Sequence, residues 1–226
     1  FGDAARRAKE YGFDSVQLHG AHGYLINQFL SPHTNLRSDD YGGTSGKRCR
    51  FLLEVYREIR SRVGPDYPVL IKLNSCDFLE GGLEAQHGLQ AAILLDKEGI
   101  DAIEVSGGTS ASGDEGPARI KIKKAEQEAY HLLLAAAIKK SVSCPVMVVG
   151  GFRSLGVMEK ALNEHDIDYI ALSRPLIREP DLPLRWHKGD TAPAKCISCN
   201  SCFKPGLEEG GIYCVIEKKE QEKKRK

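Results

Sequence analysis

Short apolar runs rich in β-branched residues alternate along the chain with longer segments of helical periodicity. The runs predict five strands, at 14–20, 68–74, 100–108, 144–151 and 168–174. Their nearly continuous apolar character is typical of parallel strands that are covered on both faces. Helical patterns lie at 48–63, 84–98, 125–141 and 154–164, the last with Ser154 as the predicted N-cap. Successive βα units of this kind indicate a parallel sheet with right-handed crossovers.

Two fold classes fit this alternation, an open doubly wound sheet and a closed TIM (β/α)8-type barrel. No G-x-G-x-x-G motif follows the first strand, which weakens the dinucleotide-binding alternative. Polar or glycine residues follow every predicted strand, where a barrel places its active site. We therefore favour the barrel. Because a complete barrel typically takes about 250 residues, we expect only its last five βα units here, followed by a Cys-rich segment.

Composition excludes several classes of function. The 226 residues are 41% hydrophobic, enough for a sizeable core, and 32 basic against 31 acidic side chains leave a net charge of +1. This balance favours neither nucleic acid nor a membrane surface as a partner. No apolar run approaches the roughly 20 residues of a membrane span, and the chain opens on a helical pattern instead of a secretory leader, so we expect a cytoplasmic protein.

The stretch VQLHGAHGYLINQFLSP (16–32) places His19, His22 and Tyr24 directly after a predicted strand. From their spacing alone the histidines could be a metal pair, structural residues or catalytic groups. They lie on a strand-to-helix turn with no obvious third metal ligand nearby. The residues alone do not decide between these interpretations.

A longer signature surrounds these residues. It comprises H-x-x-H-G-Y-L, the loop L-S-P-x-x-N-x-R-x-D-x-Y-G-G and the helix R-x-R-F-x-x-E, all within 16–60. Over this range the chain resembles the old yellow enzyme family of flavin-dependent ene-reductases. The resemblance continues through KLNSCDFLEGGL (72–83), VSGG (105–108), VVGGF (148–152) and ALSRPLIREPDLP (171–183).

The resemblance implies an FMN-dependent oxidoreductase in which hydride passes from reduced FMN to the β-carbon of an activated alkene. His19 and His22 match the pair that hydrogen-bonds the substrate oxygen, and Tyr24 matches the proton donor. Imidazole N–H groups suit the negative charge that develops on this oxygen, and a phenol is protonated at neutral pH. Lys72 stands where the family usually has an arginine near the flavin pyrimidine, which keeps the charge but loses the planar fork.

The resemblance also assigns the phosphate end of the flavin site. It implies FMN contacts from five residues, Gly150, Gly151, Arg153, Ser173 and Arg174. Glycines let backbone N–H groups approach a phosphate, and arginine adds bidentate contacts.

Four of the seven cysteines form the pattern C-x2-C-x2-C-x11-C, at Cys196, Cys199, Cys202 and Cys214. Structural zinc sites generally use two separated pairs, whereas three close cysteines with a remote fourth suit a cubane. A [4Fe-4S] cluster, zinc and unligated thiols all remain open. The pattern resembles the iron–sulfur subset of the family, the dienoyl-CoA and enoate reductases and trimethylamine dehydrogenase, which implies a cluster that passes electrons to FMN. Cys49, Cys76 and Cys144 are scattered and are expected in or near the core.

These observations predict three segments. Residues 1–190 form a partial FMN-binding barrel, 191–216 the Cys-rich cluster or metal segment, and 217–226 a charged tail. The predicted function is reduction of a small-molecule alkene, as an enone, enoate or enoyl thioester, with protonation by Tyr24. The alternatives are an amine dehydrogenase or demethylase of the same family and an inactive fragment without a complete flavin site. The sequence leaves the alkene, the electron donor (NAD(P)H or a ferredoxin) and a homo-oligomeric state open.

Overall fold

A computed structural model describes residues 1–225 and contains one five-stranded parallel sheet. The strands are β1 (Val16–Gly20), β2 (Val69–Asn74), β3 (Ala102–Ser106), β4 (Val146–Val148) and β5 (Tyr169–Ile170). They pair in chain order, β1-β2-β3-β4-β5. A doubly wound sheet reverses its strand order at a switch point, and the described strands do not, so the order agrees with consecutive units of a barrel. The predicted strands are confirmed, and β4 and β5 are shorter than predicted.

Residues 1–225 also form ten α-helices, of which one precedes β1 and the others lie between or after the strands. They are α1 (Gly2–Glu10), α2 (Leu25–Leu30), α3 (Ser45–Val63), α4 (Ala85–Lys97), α5 (Leu132–Lys139), α6 (Leu155–His165), α7 (Arg174–Arg178), α8 (Leu182–His187), α9 (Phe203–Glu208) and α10 (Val215–Lys224). Most of the predicted charged tail lies in α10, and Lys226 lies outside the described residues. Over residues 1–225, no helix combines the length and apolar character that a membrane span requires.

The helix predicted at 125–141 begins only at Leu132. The reason is Glu128, whose Oε2 accepts the backbone N–H groups of Arg153 (2.7 Å) and Ser154 (3.0 Å). Ala129 then adopts a left-handed backbone with φ 57°, which breaks the helical pattern. Ser154 takes the predicted N-cap position of α6, but its hydroxyl donates to Glu128 Oε1 instead of capping the helix.

The two faces of the sheet differ in character. The helical face is a closed apolar core that includes Leu18, Ile71 and Ile103. The opposite face carries Gln17, His19 and Lys72 at alternate strand positions, and both Gln17 and His19 are exposed. The expectation that the strands are covered on both faces therefore fails for β1, whose side chains alternate between the core and a polar surface.

Two helical glycines provide a matched test of packing. A Cβ at Gly88 in α4 would overlap the backbone carbonyl of Ser75, whereas a Cβ at Gly156 in α6 would meet nothing within 4 Å. We expect Gly88→Ala to lower the free energy of unfolding by about 1–3 kcal/mol through overpacking. Gly156→Ala should raise it by up to about 1 kcal/mol through helix propensity. Urea unfolding of both variants checks this, and equal effects would contradict the close packing of α4 against the loop after β2.

Candidate active site

The carboxyl ends of the strands surround a cavity of about 470 Å³. Its lining residues come from the carboxyl-terminal parts of β2 and β3 and from the segments after β1, β3, β4 and β5. They include His22, Tyr24, Lys72, Ser106, Tyr130, Gly151, Phe152, Ser173, Arg174 and Phe203. Parallel pairing brings all these strand ends to one edge of the sheet, which is where α/β proteins bind their ligands. The cavity therefore contains most of the residues that the sequence singled out.

The turn after β1 gathers the three predicted catalytic rings. His22 and Gly23 both have left-handed backbones, with φ 64° and 83°. The ring centroid of His19 lies 5.1 Å from that of His22 and 5.1 Å from that of Tyr24. His22 and Tyr24 line the cavity, while the exposed His19 contacts both rings without being part of the lining.

Ser106 at the end of β3 orients His22. Its Oγ lies 2.7 Å from His22 Nε2, which leaves Nδ1 as the ring nitrogen available to a ligand. Burial, together with the neighbouring His19 and Lys72, lowers the pKa of His22 to about 4. Burial and Lys72 also lower the pKa of His19, opposed by Glu104. Near neutral pH His22 is therefore an uncharged imidazole, and it can donate a hydrogen bond from one nitrogen only.

Lys72 is held by a carboxylate on the next strand. Its ammonium contacts Glu104 Oε1, and Gln17 Nε2 donates to Glu104 Oε2 at 2.9 Å. Lys72 pairs in register with His19 and with Glu104, so the contacts follow directly from the parallel alignment. Glu104 is buried within an otherwise apolar run, and hydrophobic periodicity gave no signal of its role.

The other end of the cavity carries Gly151, Ser173 and Arg174. Arg153 and Gly150, predicted for the same purpose, do not line it. The Arg153 guanidinium donates to the carbonyl oxygens of Ile122 (2.7 Å) and Ala194 (3.0 Å). Gly150 accepts the backbone N–H of Tyr130 through its carbonyl at 3.2 Å. Both residues therefore hold neighbouring loops.

The loop at 117–119 covers one side of the cavity through Pro117 and Ala118. The guanidinium of the next residue, Arg119, lies over the rings of Phe78 (5.0 Å) and Tyr130 (4.6 Å). Cation–π contacts with two aromatic rings hold it inward. Sequence spacing could not reveal this, because the aromatic partners come from other loops.

The four clustered cysteines line one small cavity beside α7 and α10. The rest of its wall is largely apolar and also contains Arg174, which lines the large cavity as well. All seven cysteines are free thiols. Within residues 1–225, no three His, Cys, Asp or Glu side chains are arranged around a single ion position. The structure thus brings the predicted ligands to a common cavity without forming a preset single-ion site.

The three scattered cysteines lie away from this cavity. Cys49 and Cys144 are buried, as expected for core residues, and burial raises their pKa values to about 11 and about 12. Cys76 is half-buried, and its sulfur accepts the backbone N–H of Phe78.

Comparison with known proteins gives a consistent family. The model of the NADH:flavin oxidoreductase / NADH oxidase family matches residues 1–192. The chain is 42% identical over 201 residues to a protein named NADH oxidase from Thermoanaerobacter brockii. This match covers 88% of the chain and 30% of that protein, so the chain spans about a third of the relative's length.

Solved structures agree with this result. An old yellow enzyme homologue from Zymomonas mobilis has a TM-score of 0.67 and 27% identity, covering 85% of this chain and 51% of that one. Histamine dehydrogenase from Rhizobium sp. 4-9 has a TM-score of 0.80 and 28% identity, covering 94% of this chain and 30% of that one. The second match extends past residue 192 into the Cys-rich segment. The predicted resemblance and the partial barrel are confirmed.

One buried histidine behind the cavity should make the fold sensitive to acid. His131 is fully buried between Phe78 and Tyr130, and neither ring nitrogen has a partner among the described residues. Burial and the nearby Arg119 lower its pKa to about 3. Because the unfolded chain binds this proton near pH 6.5, the free energy of unfolding should fall as the pH drops from about 6.5 to about 3.

We expect His131→Phe to flatten this loss of stability, since phenylalanine keeps the aromatic contacts and has no proton to bind. At pH 7 the substitution should change the free energy of unfolding by less than about 1.5 kcal/mol. Urea unfolding between pH 3 and pH 7 measures both effects. His33→Phe at an exposed position is the control, and an equal change of slope in the two variants would contradict the prediction.

Proposed function

The chain belongs to the NADH:flavin oxidoreductase / NADH oxidase family, and we propose that it takes part in FMN-dependent reduction of C=C bonds conjugated to a carbonyl, carboxylate or thioester. The observation that carries this proposal is the group of three rings, His19, His22 and Tyr24, packed together beside the cavity mouth. Lys72 lies at the same end of the cavity, and Ser173 and Arg174 at the other. NAD(P)H is the proposed electron donor, with a ferredoxin as the alternative.

The cavity fits FMN on three grounds. Lys72 lies in β2 and Ser173 follows β5, and these strands are three strand spacings apart in the sheet, which is about 14 Å at the usual spacing. This separation suits a flavin whose ring and phosphate occupy opposite ends. Apolar residues, among them Phe152 and Leu172, lie on the wall. Gly151 belongs to the wall as well, and because a Cβ there would collide with the Tyr130 ring, a glycine lets this ring pack closely at the phosphate end of the cavity.

When bound, reduced FMN would supply the hydride. The Lys72 ammonium would neutralise charge at the flavin pyrimidine, tempered by Glu104. Gly151, Ser173 and Arg174 would hold the phosphate, while Gly150 and Arg153 would shape this end through the loops that they anchor. Residues 1–190 then form the flavin-binding part of the chain.

His22 and Tyr24 would act on the substrate. If the Ser106 hydroxyl donates to Nε2, Nδ1 of His22 carries the hydrogen and can donate to the substrate oxygen. His19 packs edge-on against this ring and would share the role. The exposed Tyr24 hydroxyl would donate the proton to the α-carbon. A fixed neutral donor stabilises the charge that develops on the oxygen without a competing positive charge of its own.

A second cofactor is proposed for the Cys-rich segment, 191–216. Cys196, Cys199, Cys202 and Cys214 share one apolar cavity, and four thiols around a common space suit a [4Fe-4S] cluster. Zinc is the alternative. Arg174 and Arg178 in the same wall would offset the negative charge of four thiolates. The rest of the chain, 217–226, is proposed as a charged extension without ligands.

Amine oxidation is the second candidate, because the match to histamine dehydrogenase covers 94% of the chain. The charges of the cavity favour alkene reduction. Its titratable lining includes His22, Lys72 and Arg174, and no Asp or Glu is among the lining residues of the described chain. Cationic lining favours electron-rich or anionic substrates over a protonated amine.

Tyr24→Phe tests the proposed reaction. The variant should reduce 2-cyclohexenone about 100-fold or more slowly than wild type, because it lacks the proton donor. NADH oxidation with dioxygen as acceptor should stay unchanged, since no carbon is protonated. Steady-state assays of the FMN-loaded protein measure both rates, with Tyr11→Phe at an exposed position as the control. Failure to bind FMN, or turnover of amines but not enones, would refute the proposed function.

Cys202→Ser tests the proposed cluster. Anaerobically purified wild type should contain about four iron atoms per chain and show a broad absorbance that dithionite bleaches. Cys202→Ser should lose both, because it removes one ligand, while Cys144→Ser should keep them, since Cys144 lies outside the thiol cavity. Metal analysis that finds zinc in place of iron, or equal iron in the two variants, would contradict the assignment.

A further inference from the structure

A buried polar network lies beneath the turn that carries His22 and Tyr24. Its members are Asn27 in α2, Asn74 at the end of β2 and Asp77 in the following loop. Asn27 and Asn74 are fully buried, and Asp77 is 1% exposed. Neither Asp77 nor Asn27 lines the cavity. Polar groups are rarely buried this completely unless every one of them is hydrogen-bonded, so the network calls for an account of each partner.

Asp77 is the centre of the network. Its Oδ1 accepts Nδ2 of Asn74 at 2.6 Å and Nδ2 of Asn27 at 3.3 Å, and its Oδ2 accepts the backbone N–H of Leu83 at 2.8 Å. The two amides then reach the turn. Asn27 Oδ1 accepts the backbone N–H of Gly23 at 2.6 Å.

Asn74 provides the second connection between Asp77 and the turn. Its Oδ1 accepts the backbone N–H of His22 at 3.3 Å. Each amide therefore spans from the carboxylate of Asp77 to one N–H group of the left-handed turn.

The chemistry of a carboxylate makes this arrangement directional. An ionised carboxylate only accepts hydrogen bonds, so both amide NH2 groups must face Asp77 and both amide oxygens must face the turn. We propose that Asp77 is a positioning residue that, through Asn27 and Asn74, fixes the turn presenting His22 and Tyr24 to the cavity. In a protein that reduces alkenes as proposed above, Asp77 thereby sets the geometry of the proton donor without touching the substrate.

Two other side chains contact the turn: Ser106 Oγ lies 2.7 Å from His22 Nε2, and Gln28 Nε2 donates to the carbonyl of Gly23 at 2.7 Å. Neither of them accepts the backbone N–H groups of His22 and Gly23, which bind the two amides. A non-glycine residue rarely adopts φ 64°, so the surrounding structure must hold His22 in place. One isolated bridge joins His22 to Thr109, and the Tyr24 N–H donates to Ala21 at 3.2 Å. Even this bridge depends on the same loop, because Ser112, which binds Thr109, donates to the backbone carbonyl of Asp77 at 2.5 Å.

Asp77→Asn should break the directionality while keeping the size of the side chain. The new NH2 group can take the Oδ1 position, where it faces both amides and forces at least one of them to turn its own NH2 group toward the turn. In the Oδ2 position it faces the backbone N–H of Leu83 instead and displaces the loop that carries residue 77, so two donors oppose each other in either orientation. We expect the amide hydrogens of His22 and Gly23 to exchange about tenfold faster or more. Amides of Leu73 and Val105 in the strands should exchange as in wild type. Site-resolved hydrogen exchange measures both sets.

Two further variants separate positioning from general stability. Asp96→Asn removes a carboxylate that accepts the N–H groups of Ser143 and Cys144, before β4 and away from the turn, and should leave the exchange of His22 and Gly23 unchanged. Adding Asn27→Asp to the Asp77→Asn variant supplies an acceptor-only group to Gly23 and should restore its protection. Should Asp77→Asn not fold, Asn27→Ala removes the same acceptor and carries the same expectation for Gly23.

Enone reduction tests whether the position of the turn affects activity. Asp77→Asn should lower kcat by about tenfold or more, since a small misplacement of catalytic groups is enough for such a loss, and leave FMN affinity unchanged. Unchanged exchange at both turn residues, or equal effects of Asp77→Asn and Asp96→Asn, would overturn the proposal. A wild-type protein that reduces no enone would refute the proposed function alone, because the exchange experiment still tests the role of Asp77.

Discussion

Parallel pairing of five strands in chain order is the constraint on which the candidate site depends. It places His19, Lys72 and Glu104 side by side in one register row. It also brings the segments that follow the strands to one edge, where they enclose the cavity. A shift of one residue in β2 would turn Lys72 toward the helical core and Ile71 toward the polar face. The apolar face of the sheet therefore fixes the position of the chemistry on the other face.

Buried carboxylates then determine the local geometry. Glu104 binds Lys72, Glu128 accepts the N–H groups of Arg153 and Ser154 just before α6, and Asp77 binds two amides under the turn that carries His22 and Tyr24. In each case an acceptor-only group meets donors that would otherwise be buried without partners, so its removal leaves donors unsatisfied. Glu104 and Asp77 come from segments that sequence periodicity describes as apolar or irregular, whereas Glu128 lies in a segment with helical periodicity.

This explains how far the sequence could predict the molecule. The strands and the four longest helices between them were evident because their apolar periodicity is local. His22, Tyr24, Lys72 and Arg174 were evident from their resemblance to motifs of fixed spacing. The start of α5 was missed, because a carboxylate that binds a distant loop ends the helical pattern at Glu128. For the same reason, local sequence patterns did not distinguish the roles of Arg153 and Arg174. Both arginines follow strand ends. Tertiary contacts hold the Arg153 guanidinium on loop carbonyls outside the cavity lining, whereas Arg174 lines the cavity.

The Cys-rich segment is physically continuous with the wall of the large cavity. Asn200, between the clustered cysteines, donates to Ala118 at 2.7 Å and accepts from Arg174 at 2.5 Å. The same Arg174 nitrogen donates to the carbonyl of Arg119 at 2.8 Å. Cys202 lines the thiol cavity, and the next residue, Phe203, lines the large one. These contacts join the cysteine loop to the loop at 117–119 that covers the large cavity. A displacement of the cysteine loop would therefore also displace this cover and Arg174. The thiol cavity and the large cavity are therefore structurally coupled, although they are lined by separate segments of the sequence.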